Sequence, residues 1–348
     1  MIGDTLSYLY VNAKIMAKEG KFISASRWED LWGCTSPGEI APLLEGTDYF
    51  PYLNEAAVND AKELEKSILK EFSSLGREIS TIIPKGSWPI KEYLLKKWDV
   101  INLRTVMRGI HGDLKKDEIV DSFIEGGELG VAFFKTLIDA ESMDDFVALL
   151  AKTPYQSLTD GLGRYNETKN LFFLEASLDR IFWADLWKKV LNLKGLKEFR
   201  EFIGVCVETH NLKIILRAKN DGLLFEDIKL FLIPDCTALN ALFSAFDEED
   251  LSIPLLEDTI YFEPLLSAQQ EYEQTGSVLV FEQALDNLAL KKAEDIRKKK
   301  PFGSGPLVGF LVGFLVSKDT EVKNLLTVVR STEVGLNRRD IREALARK

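Results

Sequence analysis

Apolar residues along the chain recur every three to four positions, and alternation in twos is nowhere sustained. Ala57, Ala61, Leu64, Ile68, Phe72 and Leu75 mark one stripe of about six helical turns, with Asn54 as its cap and Gly76 as its stop. Ser36 and Ser142 each precede an acid by three residues (Glu39 and Asp145), the spacing of a capping box, and Pro37 suits a first helical position. Thr153-Pro154 reads as a cap followed by a first-turn proline, so that one short helix ends there and another begins. The longest apolar run, Pro306 to Val316, falls short of the roughly 20 residues of a membrane span and predicts a buried helix. Within it, Gly309 and Gly313 stand four apart and permit close helix–helix approach. The pattern predicts an all-α protein.

Self-comparison adds a repeat. The element Leu-Leu-x-x-Thr-x-Tyr occurs three times, with Thr47, Thr153 and Thr259 spaced 106 residues apart each time. A second element, acid-x-x-Asn-Leu-x4-Arg followed by Leu and acid-Ile, keeps every internal interval in three copies. These read Asp99, Asn102, Arg108, Leu114, Glu118; Glu208, Asn211, Arg217, Leu223, Asp227; and Glu321, Asn324, Arg330, Leu336, Asp340. A looser fragment at Asn12, Lys18, Asp30 and Leu31 resembles half of a fourth copy. Three tandem helical units follow, at 1–110, 111–219 and 220–348, the first carrying the extra half-copy.

At roughly 100° per helical residue, the acid of the second element falls about 60° from its Asn, on the apolar face, and the Arg falls near 240°. Acid and Arg of one helix therefore cannot meet. A carboxylate on an apolar face needs a hydrogen-bonding or charged partner. The expectation is that each Arg pairs with an acid of a neighbouring helix or repeat, with Glu118, Asp227 and Asp340 as the nearest alternatives. A set that recurs at unit spacing fits architecture better than ligand binding, although buried charges also mark active sites.

Charge and composition narrow the function. A net charge of −11 argues against nucleic acid and favours, if anything, a basic protein partner. Cys34, Cys206 and Cys236 make an odd count without paired spacing, and with a polar opening segment they suggest a reducing cytoplasm. The two histidines, His111 expected in a turn and His210 in a helix, have no Cys or second His at metal-ligand spacing. No P-loop or nucleophile-elbow motif occurs, so direct nucleotide binding is not expected. Gly303 to Gly309 has the wrong glycine spacing for a dinucleotide loop, and Asp247 to Asp250 lacks calcium-loop spacing. Arg297 to Lys300 reads as a solvated basic turn or, more sharply, as a contact for anionic headgroups, for which four charges are a weak signal. No catalytic residue, cofactor or metal is expected.

The third copy carries a resemblance. Pro306 to Val316, then Glu321-Val322-Lys323-Asn324-Leu325, Arg330 and Gly335-Leu336, is similar to the C-terminal signature of the C subunit of archaeal and bacterial A/V-type rotary ATPases, the counterpart of the eukaryotic vacuolar d subunit. Tyr8-x-Tyr10, Asn12-Ala13-Lys14 and the Leu-Leu-x-x-Thr-x-Tyr elements fit the same family over nearly the whole chain, with Lys14 where the family often has Arg. The resemblance implies three similar helical domains in pseudo-threefold arrangement, forming a funnel or socket on the cytoplasmic face of the membrane. It implies a non-catalytic coupling between the central shaft and the proteolipid ring, in a machine that links ATP to proton or sodium transport. A helical-repeat scaffold unrelated to a motor is the alternative that the repeat by itself leaves open; an all-helical enzyme is the third.

Overall fold

The computed structural model describes residues 2–193, 196–234, 253–298 and 308–335. Among them every regular element is a helix or a short 3-10 turn, in agreement with the all-α expectation. In chain order the α-helices are α1 (Ile2–Glu19), α2 (Ala25–Leu31), α3 (Pro37–Leu43), α4 (Glu55–Asn59), α5 (Ala61–Ile82), α6 (Trp88–His111), α7 (Lys116–Val120) and α8 (Val131–Leu137). They continue as α9 (Met143–Leu149), α10 (Thr159–Thr168), α11 (Phe172–Leu191), α12 (Lys197–Asn220), α13 (Phe225–Ile228), α14 (Phe262–Thr275), α15 (Leu279–Lys298) and α16 (Val308–Val334). Cys236, Asp247 to Asp250, Lys299, Lys300, the glycine-rich stretch up to Leu307, Leu336 and Asp340 lie outside the described residues.

The chain divides into two compact units. The first comprises Met1–Trp98, Ile124–Gly130 and Ala293–Lys348; the second comprises Asp99–Phe123 and Val131–Lys292.

In the first unit α5 lies along α16, and α1 packs on both. Leu64, Ile68, Phe72, Leu75 and Ile79 of α5 are buried, as are Val322, Leu325, Val328 and Val329 of α16. The stripe expected as one helix from Asn54 to Gly76 is two. Asn54 caps the short α4 by accepting from the Ala57 N–H (2.8 Å), and Asp60 caps α5 by accepting from the Glu63 N–H (2.8 Å). α5 then runs through Gly76 to Ile82. Gly76 is buried, and a Cβ there would lie 3.5 Å from Trp98 Nε1, ordinary contact distance. That burial outweighs the helix penalty of about 1 kcal/mol for glycine.

α16 is buried continuously from Val308 to Val316. At Gly313 a Cβ would meet Arg297 Cβ at 2.2 Å and the Ala293 carbonyl at 3.0 Å, the close approach read from the glycine spacing. Among the described residues no helix is long and apolar enough to cross a membrane.

In the second unit α11 packs along α12 and α10 packs on α11. One apolar core joins Phe173, Leu212, Ile215, Phe231, Leu256, Tyr261, Leu265 and Phe281. Ser142 caps α9 by accepting from the Asp145 N–H (3.1 Å), as its spacing indicates. Ser36 precedes α3 without a side-chain capping bond; there the Glu39 carboxylate turns back to accept from the Thr35 N–H (2.6 Å).

Candidate functional site

The two repeated elements meet in space and build the same joint three times. In each Thr-x-Tyr corner the threonine hydroxyl donates to the carbonyl of the second leucine: Thr47 to Leu44 (2.6 Å), Thr153 to Leu150 (2.8 Å) and Thr259 to Leu256 (2.8 Å). The same oxygen accepts from the tyrosine N–H two residues on, at 3.3, 3.1 and 3.2 Å. This Ser/Thr-type turn fixes the chain direction and drives the ring inward. Tyr49, Tyr155 and Tyr261 are almost wholly buried. At Thr153-Pro154 the threonine therefore caps a turn at Tyr155, and a 3-10 turn over Gln156–Leu158 follows.

Each phenol reaches the acid of a repeat-signature helix. Tyr49 donates to Glu321 Oε1 (2.9 Å), Tyr155 to Asp99 Oδ2 (3.5 Å) and Tyr261 to Glu208 Oε2. The acid on the apolar face is thus supplied with a donor. Asp99 and Glu321 are each 1% exposed, so without donors their charge would be very costly. Burial, followed by the Glu321 and Glu71 charges, pushes the Tyr49 phenol well above its ordinary range, so it stays a donor.

On the opposite side of the same helices the arginines find glutamates. Arg108 Nε donates to Glu175 (2.6 Å), Arg217 donates to both oxygens of Glu282 (2.6 Å for the second) and Arg330 to both of Glu65 (2.7 and 3.1 Å). These partners lie on α11, α15 and α5. Their distances from the corner tyrosines are unequal in sequence, so no fixed interval betrays them. In the second unit a further rung sits one helical turn away: Arg104 with Asp179, and Lys213 with Asp286 (2.7 Å).

The second-helix acids sit elsewhere. Glu118 is exposed, and Asp227 pairs with Arg164 while accepting from the Leu224 N–H (3.1 Å). Asp340 lies outside the described residues. The signature asparagines Asn102, Asn211 and Asn324 are buried. Asn211 exchanges two hydrogen bonds with the backbone of Ile233 (2.9 and 2.8 Å), tying α12 to the segment after α13. The helix ends match too. Asp113, Gly222 and Gly335, each five residues after the arginine, all have φ between 51° and 70°. In the first two copies the N–H of the next residue closes a Schellman bond, Leu114 to Gly109 and Leu223 to Ala218, both 2.9 Å.

The bonds of the joints run between helices and from helices to corners. His111, expected in a turn, is the last residue of α6, because the Schellman turn begins only after it; its Nδ1 lies 3.0 Å from the Tyr165 hydroxyl. His210 is buried in α12, where burial lowers its pKa, with Nε2 3.4 Å from the Phe231 carbonyl. Among the described residues no group of three or more His, Cys, Asp or Glu side chains could hold a metal ion.

Known proteins are similar to this chain over nearly its whole length. The family model described as ATP synthase (C/AC39) subunit matches residues 11–344. The A-type ATP synthase C subunit of Methanocaldococcus jannaschii is 33% identical, over 99% of this chain and 88% of the relative. The protein of the same name from Methanothermobacter thermautotrophicus is 33% identical, over 99% of this chain and 89% of its own length. That of Methanosphaera stadtmanae is 32% identical, over 93% and 83%.

Proposed function

The chain belongs to the ATP synthase (C/AC39) subunit family, and from that membership we propose that it is the non-catalytic coupling subunit of an A-type rotary ATP synthase, seated between the central shaft of the catalytic head and the membrane proteolipid ring. The observation that carries the reading is the full-length match to relatives named as the C subunit of A-type ATP synthases. A scaffold unrelated to a motor would explain the repeat but not this match.

The repeated joint supports the same role. A coupling must transmit torque without yielding, and each joint clamps its helix on two sides, by a phenol–carboxylate bond, buried in two copies and part-buried in the Tyr261–Glu208 copy, and by an arginine–glutamate pair. The nine signature charges then serve architecture: Asp99, Glu208 and Glu321 toward the corners, Arg108, Arg217 and Arg330 toward neighbouring helices, and Glu118 and Asp227 after the helix ends, with Asp340 grouped with them by its interval in the sequence alone. In this reading the repeats at 1–110, 111–219 and 220–348 surround an axis as a socket on the cytoplasmic face. The order of parts suits a closed set of three, because the last signature helix, α16, completes the corner of the first repeat at Tyr49.

The direct test mixes the purified chain with the central-shaft subunits of the same rotary ATP synthase, read by size-exclusion chromatography with light scattering. The expected result is a stable one-to-one complex at low salt. Two separate peaks, with both partners folded, would overturn the shaft contact.

A further inference from the structure

The joint that receives α16 differs from its two sisters in what surrounds the buried carboxylate. Glu321 accepts from the Tyr49 hydroxyl (2.9 Å) and the Ile23 N–H (2.7 Å), and Lys318 Nζ lies 3.1 Å from its Oε1. The same ammonium stands 3.9 Å above the Tyr49 ring and 3.6 Å from Glu71 Oε2. Lys318 and Glu71 are 3% and 2% exposed, and Glu71 Oε2 is buried without a hydrogen bond. Two carboxylates and one ammonium therefore share a dry interior.

The sister joints lack the second carboxylate. In the register set by Glu65, Glu175 and Glu282, the place of Glu71 is taken by Ile181 and Leu288. In the register of the signature acids, the place of Lys318 is taken by Lys96 and Val205. Nothing in the repeat calls for Glu71.

Its other charged neighbours do not supply the missing positive charge. Lys18 of α1 is shared between Asp48 (3.5 Å) and Glu78 (3.4 Å). The corner brings Asp48, a further negative charge, beside Tyr49. Of the remaining helices against α5, α3 carries Glu39, engaged by the Thr35 N–H, and α4 carries the exposed Glu55.

We propose that the Glu71 carboxyl is a proton-operated latch on α16: neutral, it leaves the Lys318–Glu321–Tyr49 set balanced and the helix held; ionised, it adds an uncompensated negative charge and loosens the helix. The latch is a property of this chain's own interior and is independent of the shaft contact. Its titration falls in a useful range. Burial pushes the Glu71 carboxyl up from 4.5 to about 6, with Lys318 and Lys18 pulling it down and Asp48 and Glu321 pushing it up. A folded-state pKa above the unfolded one contributes stability that is complete below pH 4.5 and is lost as pH rises through about 6. The opening equilibrium of α16 then increases by roughly thirty-fold across that window.

The test is hydrogen–deuterium exchange of the full chain between pH 5 and pH 7.5, corrected for intrinsic exchange and read on peptides from Val308–Val334. The expected result is that wild-type protection falls with rising pH by about eight-fold over that interval, the rest of the change lying below pH 5, and that Glu71→Gln and Glu71→Leu flatten the dependence. Glu71→Leu places the third repeat's side chain here, so it serves if the glutamine variant folds poorly. A flat wild-type profile, or equal slopes in wild type and variant, would overturn the latch.

Discussion

Tyr49, Tyr155 and Tyr261 sit in equivalent corners but do unequal work, because their bonds to the carboxylates differ. Removing a hydroxyl that serves a buried carboxylate costs about 1–3 kcal/mol. Tyr49→Phe and Tyr261→Phe are expected to fall in that range. Tyr155→Phe is expected to cost least, since its bond to Asp99 is long at 3.5 Å. Urea denaturation of the three variants checks the order, and an equal loss at all three would contradict it. The arginine side carries less. Arg108 is 60% exposed at its side chain, so Arg108→Ala is expected to cost at most about 1 kcal/mol by the same measurement. The sequence disclosed the acids, the arginines and their opposite faces, since a helical projection needs only intervals. It concealed Glu65, Glu175 and Glu282, because their helices start at different distances from the corners and leave no repeated spacing to find.

Helices pack as closely as their smallest residues allow, and two glycines separate backbone from side-chain constraint. A Cβ at Gly161 of α10 would meet the Phe173 carbonyl of α11 at 2.5 Å and Ser177 Oγ at 2.4 Å. Backbone cannot rotate away, so Gly161→Ala is expected to push α10 off α11 at a cost of about 1–3 kcal/mol. At Gly109 the obstacle is the Ile119 side chain, Cδ1 at 2.3 Å and Cγ1 at 2.6 Å, which a change of χ1 rotamer moves aside while the backbone stays. The other copies place Ala218 and Ser331 at this position, both buried, so their neighbours accept a Cβ. There the gain in helix propensity, about 1 kcal/mol, offsets the repacking. Thermal unfolding is expected to show a clear drop for Gly161→Ala and little change for Gly109→Ala. The helical rhythm itself was plain in the chain. The passage of α5 through Gly76 was not, since it lies against Trp98; the break at Asp60 rests on a local cap, Asp60 with the Glu63 N–H, that the continuous apolar stripe concealed.

At the scale of the molecule the repeat is out of phase with its own modules: each signature helix comes from one copy and each corner from the next, and α16 returns to the first. Intervals along a chain can announce three copies, but not which helix completes which corner. The two units also carry opposite responses to acid. His210 in the second unit is held neutral by burial, with a folded pKa below 6.5, so its contribution is present above that value and is lost as pH falls through the lower folded pKa. Glu71 in the first unit works the other way. Between pH 7.5 and 5, exchange protection of α12 is therefore expected to fall while that of α16 rises, and His210→Asn is expected to flatten only the former. Parallel changes in both helices would refute this. Charge should also govern the chain's encounters. With −11 net, it attracts a basic partner over a distance set by the ionic atmosphere. Raising salt from about 0.01 M to about 1 M shrinks that distance from about 30 Å to about 3 Å. If basic residues of the shaft meet this acidic body, stopped-flow association with the shaft proteins must slow steeply over that range, while dissociation, governed by close contacts, changes far less. An association rate indifferent to salt would mean that shape and apolar contact guide the docking and that the acidic balance serves solubility alone.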